Sequence, residues 1–329
     1  MKLKGLQIAL SISLIFSLTT AAPVLSQEPQ PKIAIAYDIG FLGDNSFNDA
    51  VNIALGAAKK KYRLVEPFIR EVPTNGTALD RLTRLRFLAQ SGYTLVIAVG
   101  AGYRETVRRV SIEYPEIQFA IINDLSLGQM NISNIYYRED QSAYVAGVIA
   151  AANSKRKVIG FIGSEPELLE NFIKGARAIS KKIKVINISY PDEASNFDAL
   201  LRQIDIGYST WDGDATVITT VLERHAKRIK LILETPDQYF ANLAIARGIV
   251  LATVNKNINK SVNQLVAAAL QDRALIDVVD EVNGVYGREY GLKNNGIGYT
   301  LHQNLSSAVK RQIATAIKDF SQKQIKKQG

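Results

Sequence analysis

Short apolar runs alternate with longer amphipathic stretches from Lys32 onwards, and this alternation constrains the fold more strongly than any other feature of the chain. Several runs, such as Leu95–Val99, are apolar at every position, which is typical of parallel strands covered on both faces. Strands that alternate with helices predict an α/β fold with parallel sheets. The predicted strands are Ile33–Tyr37, Leu64–Ile69, Thr94–Val99, Gln118–Ile122 and Asn134–Tyr137, then Val158–Ile162, Lys184–Ser189, Ala215–Thr220, Lys230–Leu233 and Ile249–Val254.

The stretches between these runs carry apolar residues at helical spacing. Ser46 with Asp49 forms a capping-box-like start to the first helix, and Thr77 with Asp80 repeats that pattern before the second. The other predicted helices are Tyr103–Tyr114, Gln141–Ala152, Pro166–Ser180, Asn196–Ile206, Gln238–Arg247, Ser261–Gln271 and Asn304–Gln324.

The N-terminus has the pattern of a secretory signal peptide, which we predict over residues 1–26. Lys2 and Lys4 precede an apolar run, Leu6–Leu18, that is shorter than the roughly 20 residues needed to span a bilayer. An uncleaved N-terminal anchor is the alternative. We therefore expect an exported protein, periplasmic or associated with the cell surface. The sequence contains no cysteine that could carry a lipid.

The length of the chain, 329 residues, is sufficient for two domains after the signal segment. We expect the chain to cross between two lobes near 137–142, near 255–261 and within the glycine-rich stretch 280–298. Several crossings make a hinge, and hinged lobes close around ligands. The predicted lobes are 27–140 with about 255–290, and 141–254 with about 291–329.

Basic residues are scattered along the chain and give it a formal net charge of +9. Most of them stand where predicted helices end, a position that the helix dipole favours. Because an exported protein meets little nucleic acid, we expect no nucleic acid partner. The positive charge is also compatible with electrostatic attraction of the protein to an anionic membrane surface, and the sequence leaves this alternative open.

Polar and aromatic residues follow the first strand, where ligands bind in open α/β sheets. Asp38 can accept hydrogen bonds, Phe47 can stack on a planar ring, and Asn48 offers both a donor and an acceptor. Gly40 and Gly43 allow the backbone to bend. Turn glycines, a capped helix and a core phenylalanine explain the same pattern equally well.

Two further strand ends carry candidate ligand-binding residues. Gly100 and Tyr103 follow one predicted strand, and Asn123 and Asp124 follow the next. Tight turns are the alternative explanation for both segments. No G-x-G-x-x-G motif follows the first strand and the chain has no P-loop motif, so no dinucleotide or other cofactor is predicted.

Motifs for catalysis or metal binding are missing from the sequence. The two histidines are His225, among basic residues typical of a surface, and His302. There is no G-x-S-x-G or H-E-x-x-H motif. We therefore predict a protein with no catalytic residues and no metal site.

The residues described so far make the sequence similar to the basic membrane protein family, which includes purine-nucleoside receptor lipoproteins of bacterial ABC transporters. The similarity extends from Lys32 to about Lys318. The segments that carry it are Asp38–Asn48, Gly100–Tyr103 with Tyr114–Ile122, Gln141–Ala151, Val250–Asn257 and Tyr290–Tyr299.

This resemblance implies a type I periplasmic-binding protein, with two Rossmann-like lobes joined by three crossings. It further implies that Asp38 and Asn48 hydrogen-bond the ligand, that Phe47 stacks on a base, and that Lys256 reaches the sugar. We expect a monomer that binds a nucleoside and delivers it to the permease of an ABC transporter. A receptor for a membrane signalling protein and a nucleoside hydrolase are the alternatives. We expect Asp38→Ala to abolish binding with little loss of stability.

Three segments depart from the family pattern. Asn123 stands where the family has Asp, and Thr219–Arg224 replaces a glycine-rich loop. The carboxylate that contacts ribose in the family has no direct counterpart, and Asp237 or Glu234 can substitute for it. The N-terminal half of the site therefore follows the family, while the C-terminal half leaves the identity of the ligand open.

Overall fold

The computed structural model describes residues 30–190, 196–211, 215–238 and 244–327. The signal peptide predicted over 1–26 lies outside these ranges. The described strands are β1 (Ile33–Ala36), β2 (Ile69–Val72), β3 (Leu95–Val99), β4 (Gln118–Ile122), β5 (Ile132–Tyr137), β6 (Val158–Ile162), β7 (Lys184–Ile188), β8 (Ile206–Ser209), β9 (Lys230–Thr235), β10 (Val250–Lys256), β11 (Asp277–Asp280), β12 (Val285–Tyr290) and β13 (Ile297–Leu301). The described α-helices are α1 (Phe47–Tyr62), α2 (Ala78–Gln90), α3 (Arg104–Glu113), α4 (Glu139–Asn153), α5 (Pro166–Ile179), α6 (Phe197–Leu201), α7 (Thr216–Thr220), α8 (Ile258–Ala269) and α9 (Ser307–Lys327).

These strands form two sheets, which we call the N-lobe sheet and the C-lobe sheet. The N-lobe sheet has the strand order β11-β12-β5-β4-β3-β1-β2, and the C-lobe sheet has the order β13-β10-β9-β8-β6-β7. Adjacent strands are parallel except at one edge of each sheet, where β11 pairs with β12 and β13 pairs with β10 in antiparallel register. The predicted α/β fold with two mostly parallel sheets is confirmed.

The chain passes between the two sheets three times, and the crossings are hydrogen-bonded to one another. The first joins β5 to α4, the second joins β10 to α8, and the third joins β12 to β13. The N–H of Arg138 donates to the carbonyl of Tyr290 at 2.9 Å, and the N–H of Asn257 donates to the carbonyl of Gly296 at 2.8 Å. The crossings therefore lie side by side.

The helix at the first crossing is part of the C-lobe core. Residues 141–151 of α4 are all buried, and α4 packs against α5. A Cβ atom on Gly147 would overlap the carbonyl oxygen of Phe172, and one on Gly175 would overlap that of Tyr144. The backbones of α4 and α5 are therefore in direct contact, which only glycine at these two positions permits.

The structure corrects several predicted elements. Residues 215–220 are not a strand, because α7 covers 216–220 and the strand position between β6 and β9 is occupied by β8, which begins at the last residue of the predicted helix Asn196–Ile206. The second strand lies at 69–72 rather than 64–69. His225 is buried, with Nε2 2.8 Å from Asp198, and not on the surface. The helix predicted over 238–247 falls partly outside the described residues.

No helix among the described residues combines the length and the apolar character needed to cross a membrane.

Candidate functional site

The loops that follow the parallel strands of both sheets meet at one cleft. From the N-lobe sheet come the residues after β1, β3 and β4, and from the C-lobe sheet those after β9 and β10. The hydroxyl of Ser46 donates to the carbonyl of Pro236 at 2.8 Å. This bond joins the two sides of the cleft directly.

The two carboxylate oxygens of Asp38 have different surroundings. Its Oδ1 accepts from the N–H of Ile39 at 2.8 Å and from Arg81, with Nε at 3.0 Å and a second bond from Nη2. Its Oδ2 accepts no hydrogen bond from any residue that the structure describes. A Cβ atom on Gly102 would overlap this Oδ2, so the glycine leaves room for the carboxylate.

Arg81 holds Asp38 in this orientation, and the sequence analysis did not identify it. Its side chain is only 10% exposed. Nη1 donates to the carbonyl of Gly76 at 2.9 Å, and the guanidinium lies 5.5 Å from the centre of the Tyr103 ring. An arginine one turn into a predicted amphipathic helix resembles a solvated residue, so residue type and spacing do not indicate its role.

Asn48 is buried and bonds the loop backbone rather than facing the cleft. Its Oδ1 accepts from the N–H of Asp38 at 3.2 Å, and its Nδ2 donates to the carbonyl of Ile39 at 3.2 Å and more weakly to that of Asp38 at 3.4 Å. These bonds set the path of the loop and so the position of Asp38.

Asp44 caps the first helix, in place of the predicted Ser46–Asp49 capping box. Its carboxylate accepts from the N–H groups of Ser46, Asn48 and Asp49 at 2.9, 3.0 and 3.1 Å. The side chain of Ser46 makes no capping bond because its hydroxyl points to Pro236. The second predicted cap is correct, since Thr77 accepts from the N–H of Asp80 at 3.2 Å.

Phe47 and Lys256 meet across the cleft. Phe47 begins α1 on the N-lobe side and is partly buried, while Lys256 ends β10 on the C-lobe side. The Nζ atom of Lys256 lies 5.6 Å from the centre of the Phe47 ring. This distance is within the range of a cation–π contact.

Lys256 is surrounded by three carboxylates, and its side chain is 2% exposed. Its Nζ bonds Glu139 at 2.6 Å, forms a short bond to Asp237, and lies 3.6 Å from Glu234. Burial by itself would lower the pKa of Lys256, but the carboxylates of Asp237, Glu234 and Glu139 raise it by more, so the side chain is charged. The second oxygen of Asp237 is buried without a hydrogen-bond partner in the described part of the chain.

Glu234 is the most buried of the three acids. Burial raises its pKa to about 8; Lys256 opposes this shift, while Asp237 and Glu139 add to it. The hydroxyl of Tyr208 donates to its Oε1. The carboxyl oxygens of Glu139, Glu234 and Asp237 lie within 4.8 Å of one another, a spacing that suits a metal ion. The Nζ atom of Lys256 lies among these oxygens, so the ammonium group takes the position that a metal ion would occupy.

Two of the remaining predicted residues point into the N-lobe. The hydroxyl of buried Tyr103 donates to the carbonyl of Tyr37 at 3.1 Å. The buried carboxylate of Asp124 accepts from Arg104 at 2.7 Å and from the N–H of Ser126 at 2.8 Å. Both therefore have partners within their own lobe.

Asn123 and Gly100 lie at the carboxyl ends of β4 and β3, on the cleft side. Asn123 has a left-handed backbone with φ of +61° and a partly exposed side chain that makes no hydrogen bond to a described residue. Gly100 has φ of +89°, which favours glycine. Asn123 thus offers a donor and an acceptor at the end of β4, which β3 separates from β1 and its Asp38 loop.

The sequence of the chain matches one family model and several characterised relatives. Residues 31–199 match the model described as ABC transporter substrate-binding protein PnrA-like. The ABC transporter nucleoside-binding protein BmpA of Lactococcus lactis is 24% identical over 307 residues, which cover 88% of this chain and 86% of that relative. Basic membrane protein A1 of Borrelia garinii is 30% identical over 163 residues, which cover 47% of each chain.

Solved structures share the fold at low sequence identity. A transcriptional activator of the comK gene from Bacillus halodurans has a TM-score of 0.70 and 16% identity, over 88% of this chain and 98% of that one. An ABC transporter solute-binding protein from Conexibacter woesei has a TM-score of 0.65 and 16% identity, over 89% and 97%. The two lobes therefore have the type I solute-binding fold.

Proposed function

The chain belongs to the family of PnrA-like ABC transporter substrate-binding proteins, and from that premise we propose that it binds a nucleoside between its lobes and delivers it to a membrane permease. The resemblance inferred from the sequence is thereby confirmed. Because members of this family bind substrates for ABC transporters and are not enzymes, the non-catalytic prediction is also confirmed. The hydrolase alternative is excluded.

The observation that carries the nucleoside proposal is the meeting of Phe47 and Lys256 across the cleft. An aromatic face on one lobe and a charged group on the other suit a ligand with a flat ring at one end and hydroxyls at the other. Stacking of the ring on Phe47 contributes about 0.5–1.5 kcal/mol beyond the area it buries.

Hydrogen-bonding groups beside this pair suit the polar edge of such a ligand. The Oδ2 atom of Asp38 and the amide of Asn123 have no partner among the described residues. A ligand that donates to Asp38 and exchanges hydrogen bonds with Asn123 satisfies both groups when the lobes close. The unpaired oxygen of Asp237 is a third acceptor, suited to a sugar hydroxyl.

The charges of the cleft favour a nucleoside over a nucleotide. Arg81 is paired with Asp38, and Lys256 is paired with Glu139 and Asp237. A phosphate group would have to compete with these carboxylates for a cation, and it would enter next to three acids. An uncharged ligand meets no such opposition.

Calorimetric titration with adenosine, guanosine, inosine, uridine, adenine, ribose and AMP tests the proposal. We expect a nucleoside to bind and AMP to bind at least about tenfold more weakly. Phe47→Ala should lower nucleoside affinity at least about tenfold. Phe87→Ala is the matched control, because Phe87 is an exposed aromatic residue on α2.

Three outcomes would contradict the proposal: no binding of any nucleoside, equal affinity for AMP and for a nucleoside, or equal losses of nucleoside affinity in the two phenylalanine variants.

We further propose that the protein acts outside the cytoplasm, where the substrate-binding proteins of ABC importers work. We also propose that it is a monomer. Size-exclusion chromatography with light scattering tests the monomer.

A further inference from the structure

Basic residues crowd one end of the C-lobe sheet, the end opposite the cleft. They lie in the segments that lead into the five parallel strands β6 to β10. We call this surface the basic pole, and its members are Lys155, Arg156, Lys157, Lys181, Lys182, Lys184, Arg202, Lys227, Arg228, Lys230 and Arg247.

Strand register brings these residues side by side although they are far apart in sequence. Lys184 pairs with Val158, and its N–H donates to the carbonyl of Lys157 at 2.9 Å. The N–H of Lys230 donates to the carbonyl of Asp205 at 3.0 Å. Since parallel strands share one direction, all five entry segments face the same end of the sheet.

Hydrogen bonds to one carboxylate, that of Asp205, and to one backbone carbonyl, that of Arg202, hold the entry segments together. Asp205 accepts from the N–H groups of Lys155 and Arg156 at 2.8 and 2.9 Å. The carbonyl of Arg202 accepts from Arg156 at 3.1 Å and from Arg228 at 3.2 Å. The surface is therefore a fixed arrangement of loops.

The cations of the pole are exposed and mostly unpaired. All are exposed except Lys230, which is partly buried. Arg202 has a salt bridge, to Asp198; within the described ranges, none of the other ten has a carboxylate within 4.0 Å. Asp198 and Asp205 lie among the eleven cations, which leaves a formal charge of about +9 here, and because the net charge of the whole sequence is +9, the remaining residues are formally close to neutral.

Helix ends account for only part of this concentration. The C-termini of α4 and α5 lead into the pole, and one or two cations at each would satisfy their dipoles. Unpaired like charges that lie close together repel one another and destabilise the folded protein. An anionic partner that binds to this surface would neutralise the charges and remove the repulsion.

We propose that the basic pole binds the anionic surface of a lipid bilayer. A broad surface of exposed lysines and arginines matches the charge of anionic headgroups, and each cation within a Debye length, about 8 Å at physiological ionic strength, strengthens binding about fivefold. A substrate-binding protein of an ABC transporter works beside a membrane that holds its permease. Because the pole lies opposite the cleft, bound protein keeps its ligand site uncovered. The inference rests on the family and not on the identity of the ligand.

Vesicle sedimentation tests the proposal, with phosphatidylcholine vesicles that contain one-third phosphatidylglycerol or none. The pole variant carries K155Q, K181Q, K182Q, K184Q and K227Q. The control variant carries K60Q, K293Q, K310Q, K318Q and K323Q, at exposed lysines elsewhere, and so loses the same charge. The wild type and the two variants are prepared with the same N-terminus, so any contribution of the N-terminal segment to vesicle binding is equal in all three. Thermal melting confirms that all three are folded.

We expect the wild type to bind the anionic vesicles and to be released by high salt. The pole variant should bind at least about tenfold more weakly and the control variant within about threefold of the wild type. Equal losses in the two variants would show that only net charge matters and would overturn the proposal. The proposal would also be overturned if the wild type bound anionic and neutral vesicles equally well. The same holds if the wild type bound duplex DNA more tightly than it bound anionic vesicles that present an equal concentration of negative charge.

Discussion

Arg81 determines how much of Asp38 is available to a ligand. By donating twice to Oδ1, the guanidinium fixes the carboxylate and leaves Oδ2 as the acceptor. The ion pair also alters the expected effect of Asp38→Ala. That change would leave a guanidinium that is 10% exposed without its carboxylate, so it should lower stability as well as affinity.

We expect Arg81→Met to lower the free energy of unfolding by about 2–3 kcal/mol, because Asp38 would lose its partner in a partly buried site. Nucleoside affinity should fall with it, since the carboxylate is no longer held in place. Urea denaturation and calorimetry measure the two effects. Arg84→Met, which breaks an i,i+4 pair with Asp80 on the same helix, should cost less, about 1 kcal/mol, because the Arg84 side chain is 38% exposed. Equal costs in the two variants would contradict the role given to Arg81.

The sequence indicates which residues carry polar groups at strand ends, but not which way each group points. Asp38, Phe47, Asp237 and Lys256 lie on the loops and strand ends that border the cleft, and their contact with a ligand stays a prediction. Asn48, Tyr103 and Asp124 carry suitable chemistry yet bond their own lobe, because backbone groups lie within reach. These short-range bonds depend on loop geometry that residue type does not specify.

Among the secondary-structure elements, α1 depends on Asp44, which lies outside it. Asp44→Ala removes the acceptor for three N–H groups at the start of the helix. We expect the free energy of unfolding to fall by about 1–2 kcal/mol. Ser46→Ala should cost less in the same denaturation experiment, since its hydroxyl does not cap the helix. A larger cost for Ser46→Ala would contradict this assignment of the cap.

At residues 215–220, tertiary packing overrides the intrinsic preference of the residues for a β-strand. The threonines, valine and isoleucine of this segment are typical of strands, yet they form α7. The strand position belongs to Ile206–Ser209, where Gly207 allows close contact with Ile162. Long apolar runs such as β3 were predictable because they are buried on both faces, whereas a run as short as Ile206–Ser209 does not stand out from the neighbouring sequence.

For the molecule as a whole, the buried charges at the cleft predict how stability varies with pH. Glu234 has a raised pKa of about 8 in the folded protein, against about 4.3 in an unfolded chain. Between these values the folded state keeps a proton that the unfolded state has lost. This contribution to stability is therefore complete below about pH 4.3 and is lost as the pH rises towards 8.

Glu234→Gln should remove this dependence, so that the variant loses less stability than the wild type between pH 5 and pH 8, by about 3–4 kcal/mol. Urea denaturation across that range measures the difference. Glu223→Gln is the control, since Glu223 is exposed on the same lobe. A variant that keeps the slope of the wild type would show that Glu234 does not hold the proton.

The three crossings have a consequence for the order in which the protein can be completed during synthesis. The N-lobe sheet takes its last two strands from residues 277–290, after β6 to β10 of the other sheet have been made. A chain that emerges from its N-terminus first must therefore hold the edge of β5 unpaired until β12 arrives. Neither sheet can be completed before nearly the whole polypeptide has been synthesised, so the two lobes complete their folding at the same stage.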